Sequence, residues 1–199
     1  MRRRGQGSDG IGVIRRVVKK AVRVWLGDYT IYRFFRYACA CTDADASDSD
    51  DALTFFVPAE EEIAQARSPI IREQAWCGGD NALVFAARKG GEIAAICWVW
   101  HGSSYRVAAQ WPLKEREAYI VQLVTVPEWR GTGTGTQLKR YVTEVLCARG
   151  FKTLYSRVWF SNAAAIRMNE KAGWEHFATV VEVTPPMGAH SLRIVRTRR

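Results

Sequence analysis

One segment limits the fold more than any other. The β-branched run AYIVQLVTV stops at Pro127 and passes through PEWRGTGTG into the amphipathic stretch QLKRYVTEVLCARG. Hydrophobic period changes there from about two to about 3.6, the pattern of a strand, a tight loop and a helix. Gly131, Gly133 and Gly135 fall within that loop. Lacking Cβ atoms, they leave backbone N–H groups uncovered beside the N-terminus of a helix expected to begin at Thr136. Such a loop suits a phosphate or pyrophosphate. Arg130 adds a fixed charge, and Thr132, Thr134 and Thr136 add hydroxyls. The GxxxxGK[ST] pattern is absent and the glycine spacing does not fit a dinucleotide fingerprint. A flexible strand–helix connection is the plain alternative.

The rest of the chain keeps the same mixed character. ALTFFVP reads as a short strand, and AEEEIAQARS and the stretch around IIREQAW read as short helices broken by Pro69. NALVFAAR and EIAAICWVW flank KGG as a hairpin. HGSSYRVAAQWPLKERE is a loop or weak strand. TLYSRVWF is a strand, NAAAIRMNEKAG a helix ending at Gly173, and HFATVVEV and SLRIVRTR are strands separated by PPMG. YTIYRFFRYACA is β-prone, but its period also allows a helix. These elements make a mixed α/β domain over residues 42–199, preceded by an extension of residues 1–41. With 199 residues, 48% of them apolar, the chain can build one core and is not disordered as a whole. No run of about 18 apolar residues exists to span a bilayer.

The net charge of +9 is unevenly placed. Residues 1–41 hold ten Lys and Arg against Asp9 and Asp28, leaving nineteen basic and eighteen acidic groups for the remaining 158 residues. The body is therefore close to neutral, which argues against nucleic acid as a partner. In IGVIRRVVKKAVRVWLG, Arg15, Arg16, Lys19, Lys20 and Arg23 share one face at helical spacing, opposite an apolar face that includes Trp25. This helix of residues 10–26 suits an anionic membrane surface, or equally the protein's own body. Residues 43–62 carry eight acidic groups and no basic one, a solvated loop or a clamp for a cationic substrate. Cys39, Cys41, Cys77, Cys97 and Cys147 are odd in number and lack metal-ligand spacing. Free thiols, a reducing compartment, a cytoplasmic location and no metal are expected.

Arg130-Gly131-Thr132-Gly133-Thr134-Gly135 matches [RQ]-x-x-G-x-[GA], and with the LVTVPEW lead-in it resembles the pyrophosphate loop of the GNAT superfamily of N-acetyltransferases. Asn162 to Trp174 resembles that family's second motif, in which an Asn opens a helix ending in Gly-aromatic. The resemblance spans residues 52–197. It implies a central, mostly antiparallel sheet splayed at its middle strands and flanked by helices. It also implies acetyl-CoA or another acyl-CoA as co-substrate, with its pyrophosphate on the amides of residues 131–136. Pantetheine would then pair with Val124, Thr125 and Val126 and contact Asn162, and the acyl group would pass directly to a primary amine of a small molecule or envelope precursor.

Relatives often place a general-acid Tyr where this chain has Asn169, which cannot protonate a leaving thiolate but could bond the sulfur. A Tyr at 169 is accordingly expected to be tolerated. Glu117 is the expected base, with Tyr119 as substitute or water-holder; an exposed charge in the KERE run is the alternative. His101 is a further candidate base. Trp98, Trp100 and Trp111 form either a stacking platform for the acceptor or plain core. A degenerate module that binds acyl-CoA without turnover is the competing function.

Overall fold

The computed structural model describes residues 28–39, 53–102, 113–184 and 192–198. Eight strands form one sheet in the order β2-β3-β4-β5-β6-β1-β7-β8. They are β1 (Asp28–Ala38), β2 (Thr54–Phe56), β3 (Ala82–Lys89), β4 (Glu92–His101), β5 (Glu117–Thr125), β6 (Thr153–Trp159), β7 (Glu175–Thr184) and β8 (Leu192–Thr197). Every neighbouring pair is antiparallel except β5 and β6. The mixed α/β sheet with flanking helices is thus the expected fold class.

Side-chain alternation along β4 sorts the core into two layers, as a pleated strand must. Cys97 and Val99 face α3 (Thr134–Ala148) and α4 (Ala163–Lys171), packing with Leu138, Val142, Leu146 and Ile166. Ile96 and Trp98 face the other way, onto Ile63 of α1 (Glu60–Ala64) and Ile71 of α2 (Pro69–Arg72). Pro69 opens α2 at its first turn, where its missing N–H costs nothing, rather than breaking a helix. The third helix starts at Thr134, two residues ahead of the expected Thr136, because Gly133 takes the left-handed conformation that ends the loop.

Residues 28–38 correct the expected division at residue 41. They form β1, inside the sheet between β6 and β7. Phe35 belongs to the α3–α4 layer and Phe34 packs with Val180 and Ala178 on the opposite face, both side chains fully buried. The folded domain therefore includes β1. The expected helix of residues 10–26, the acidic stretch 43–52, Cys41, Trp111 and the PPMG turn lie outside the described residues.

Free thiols are corrected too. Cys39, just beyond β1, is joined to Cys147 in the last turn of α3, with their Cα atoms 5.3 Å apart. The spacing-based argument for a reducing compartment falls with it. Cys77 and Cys97 remain thiols, both buried. The bond closes a span of 108 residues, for which chain entropy gives about 4–5 kcal/mol of stabilisation. Reductant, or the Cys39→Ser/Cys147→Ser pair, is expected to lower stability by that amount in denaturant melts. Identical melts with and without reductant would show that the bond does not form.

Candidate active site

The parallel contact of β5 with β6 is short. It runs only from Glu117–Ile120 against Thr153–Ser156. One residue further, β5 bulges against β4: Trp98 pairs with Gln122 but Val99 with Ile120, leaving Val121 as the extra residue. A bulge bends its strand and increases local twist. From there β5 and β6 part, and a cavity of about 370 Å³ opens between Val121–Leu123 on one side and Arg157–Trp159 on the other. Helix α4 supplies a third wall through Asn162, Ala165, Met168 and Asn169, and Trp76 and Trp100 supply a fourth.

The glycine loop follows the end of β5, past the strand residues that line the cavity. Gly131 and Gly133 adopt φ of +81° and +90°, a conformation that strains any residue with a Cβ. Gly135 is required for another reason: a Cβ there would stand 2.7 Å from Thr125 Oγ1, so it lets α3 settle directly on β5. Arg130 Nε donates to the Thr125 carbonyl at 3.0 Å and ties the loop to the strand. Thr132 Oγ1 donates to the Trp129 carbonyl at 2.8 Å and lies 2.9 Å from Thr134 Oγ1, which in turn donates to it. Those two hydroxyls stitch the loop together instead of offering protons to an anion, as had been expected. The first backbone amides of α3 have no intrahelical partners, as at any helix N-terminus.

The cavity floor holds a polar cluster of which sequence reasoning found Asn169 but missed Lys139 and Ser156. Lys139 of α3 is 1% exposed. Its Nζ donates to Asn169 Oδ1 at 2.6 Å and Ser156 Oγ at 3.2 Å, and sits 3.8 Å from the ring centre of Trp174. Ser156 Oγ also donates to Asn169 Oδ1 at 2.8 Å, while Asn169 Nδ2 donates to the Ala165 carbonyl. Desolvation pushes Lys139 down to about 7. Asn169 thus ties α4 to Lys139 and to Ser156 of β6, and a Tyr in its place would forgo those bonds. Lys139 precedes Val142 by three residues and Leu146 by seven, so helical spacing put it on the buried face.

Other expected residues fall in varied places. Val124 and Thr125 lie on β5 beyond its last pairing with β6. Val126 does not offer its amide, which donates to the Ala94 carbonyl at 3.0 Å, and its side chain is buried. Asn162 lines the cavity and caps α4, its Oδ1 accepting from the Ala165 amide at 3.1 Å. Glu117 and Tyr119 are not in the cavity wall. Glu117 accepts from the Lys114 amide and the Tyr155 hydroxyl, and Tyr119 is buried with Phe34. Burial, then the neighbouring Glu117 carboxylate, raises the Tyr155 hydroxyl above its ordinary range. His101 packs against Phe151, away from the cavity, and burial holds it below the usual histidine value. Trp100 faces the cavity with its Nε1 donating to the Cys77 carbonyl, whereas Trp98 is core. Among the described residues, no cluster of His, Cys, Asp and Glu could hold a metal, and no helix is long and apolar enough to cross a membrane.

A sheet parted at its parallel junction, with a glycine-rich turn and a helix following the parted strand, is the arrangement of an acyltransferase fold. The model of the acetyltransferase (GNAT) family matches residues 49–174, and the chain belongs to that family. Among solved structures, a GNAT-family protein from Novosphingobium aromaticivorans DSM 12444 superposes with a TM-score of 0.50 at 21% identity, over 78% of this chain and 64% of that one. A GCN5-related N-acetyltransferase from Kribbella flavida gives a TM-score of 0.53 at 15% identity, over 89% of this chain and 65% of that one. At such identities the likeness is one of fold. The chain spans slightly under two thirds of the length of both structures. No protein among the curated sequences matches it.

Lys139 yields a stability prediction whose sign follows from linkage. Its proton affinity is lower in the folded than in the unfolded chain, so stability is lost as pH falls from the ordinary value of 10.5 to about 7. The slope across that window is about 1.4 kcal/mol per pH unit. Lys139→Met removes the dependence. The variant should exceed the parent most below pH 7 and lose that advantage toward pH 10, as read by denaturant melts across pH; a constant difference would contradict the buried ammonium.

Proposed function

We propose that the protein transfers the acyl group of acetyl-CoA directly to a primary amine of a small molecule. The observation that carries this reading is the gap between β5 and β6, together with the glycine loop that follows the unpaired end of β5. On this proposal the gap takes the thiol arm and the loop amides take the diphosphate. In this reading the pyrophosphate lies on the amides of residues 131–136 beside Arg130. The pantetheine runs along Val124 and Thr125, where β5 has no strand on that side. Asn162 contacts it through Nδ2, because its Oδ1 is engaged in the cap.

Acyl transfer by this route needs a neutral amine within reach of the thioester carbon, a donor for the developing oxyanion, an exit for the amine's one surplus proton and a proton for the leaving thiolate. A β5 amide near Val124 serves as the oxyanion donor. No carboxylate of the described residues lines the cavity, so the amine's proton leaves through water beside Gln122, whose Nε2 is fixed by Gln74 Oε1 at 3.0 Å. The wall is aromatic and cationic: Tyr32, Trp76, Trp100 and Trp159, with Arg157 and Lys139. It favours an acceptor with a stacking surface and no surplus of positive charge, such as an amino sugar of an envelope precursor, over a polycation. The basic amphipathic segment of residues 10–26 would bring the enzyme to an anionic membrane surface where such precursors reside.

Two measurements test this. Calorimetry should detect acetyl-CoA binding that Gly133→Val abolishes and Arg130→Ala weakens by about 1.5–3 kcal/mol. Gly133→Val binding as tightly as the parent would show that the pocket is wrongly assigned. Thiol release over a panel of amines should find turnover, and binding without turnover on any amine would favour the non-catalytic module. Separately, deleting residues 1–27 should abolish sedimentation with anionic vesicles in a salt-sensitive way while acetyl-CoA affinity persists. Vesicles ignored by the full-length protein at low salt would remove the membrane part.

A further inference from the structure

Acyl transfer from a thioester expels a thiolate, and the residue at the position where relatives carry a proton donor cannot supply a proton. Asn169 accepts from Lys139 and Ser156 through Oδ1 and donates through Nδ2 to the Ala165 carbonyl, and a side-chain amide has no acidic proton to give. Lys139 lines the same cavity, reaching from α3 to the floor between β6 and α4. Among the described residues its ammonium faces neutral partners, Asn169 Oδ1, Ser156 Oγ and the face of Trp174, so it can surrender a proton without breaking an ion pair with any of them. Resting on the acyl-transfer reading above, we propose that Lys139 is the general acid of this site and that Asn169 and Ser156 are its positioning residues.

The step balances as follows. The acceptor nitrogen forms a bond to the acyl carbon, and the carbon–sulfur bond breaks with its electron pair staying on sulfur. The Lys139 proton passes to that sulfur, leaving CoA thiol and a neutral lysine. The amine's surplus proton goes to water, and solvent recharges Lys139 after release. Trp174 and the two acceptors stabilise the charged form, and the Ser156 hydroxyl can turn to donate to the neutral amine.

Burial tunes the acid to this work. Lys139 is pushed down to about 7 by desolvation, where an acid is both protonated and ready to release at neutral pH. The titratable neighbour acting on it is the Cys97 thiol of β4. Burial pushes that thiol up to about 12, so it stays uncharged. β6 presents Ser156 and the cationic Arg157 to the cavity, α4 presents Asn169, and Trp174 follows α4. None of these places a negative charge that would hold the proton back.

Lys139→Met is the test, a side chain of similar length that suits a buried, apolar position. Expected are unchanged acetyl-CoA affinity by calorimetry and a fall in kcat of about 100-fold or more. The alkaline limb of the kcat profile near pH 7, present in the parent, should vanish. Acetyl-seleno-CoA, whose selenolate leaves without needing a proton, should restore the variant close to the parent's rate. A readout independent of turnover is the proton titration of the Lys139 amine followed by nitrogen NMR, expected near neutral pH in the parent. Parental kcat and pH profile in Lys139→Met would overturn the proposal, as would a Lys139 that keeps its proton up to the ordinary lysine range in the parent, which requires no variant. Failure of the parent to bind CoA at all would instead remove the reading of the cavity itself, and the proposal with it.

Discussion

The parting of β5 from β6 is the constraint on which the site depends. Sheets close their ladders wherever they can, because an unpaired strand edge leaves amides and carbonyls unsatisfied. Here the ladder stops after Ile120 and Ser156, in the middle of an eight-stranded sheet. The Val121 bulge turns β5 away, and α3 then pins it in that direction through the close seat of Gly135 on Thr125. On the far side, β1 holds β6 along seven residue pairs from Tyr32 to Ala38, so β6 cannot follow β5 outward. The cavity is thus enforced by stronger pairings on both flanks.

How far the sequence disclosed this depends on the range of each interaction. The strand, glycine loop and helix of residues 119–149 were legible because the signals that mark them are local: Gly131 and Gly133 in the left-handed region, the period change, the break at Pro127. The helix opened by Asn162 was legible for the same reason, its cap being three residues from its acceptor. β1 was not. Its two neighbours lie more than a hundred residues away, and with Phe34 on one face and Phe35 on the other it lacks the alternation that marks a half-buried strand. Cys39 and Cys147 carry no local sign of pairing, and only the docking of β1 beside the end of α3 brings them together.

Glu117 shows the opposite error. Its place at the entrance of β5 made it the natural base by resemblance, yet the segment it occupies is the one part of β5 still paired with β6. Its carboxylate serves Tyr155 and the Lys114 amide at the closed end of the junction. The open end is served by Gln122, which bonds water and amides but does not ionise. The charges that do reach the cavity, Lys139 and Arg157, are positive.

Burying an ammonium without a carboxylate is costly, and apolar packing alone would favour a methionine or leucine at position 139. Neutral dipoles and one aromatic face offset only part of that cost. The remainder is stored as weakened proton affinity, because the medium that penalises the folded charge also penalises holding the proton. Destabilisation of the fold and availability of the proton are therefore one quantity seen from two sides. A lysine at the surface would keep its proton far above neutral pH and cost the fold nothing. At the floor of the β5–β6 gap it gives up stability in the same measure as it gains acidity, beside the cavity where a thiolate would need that proton.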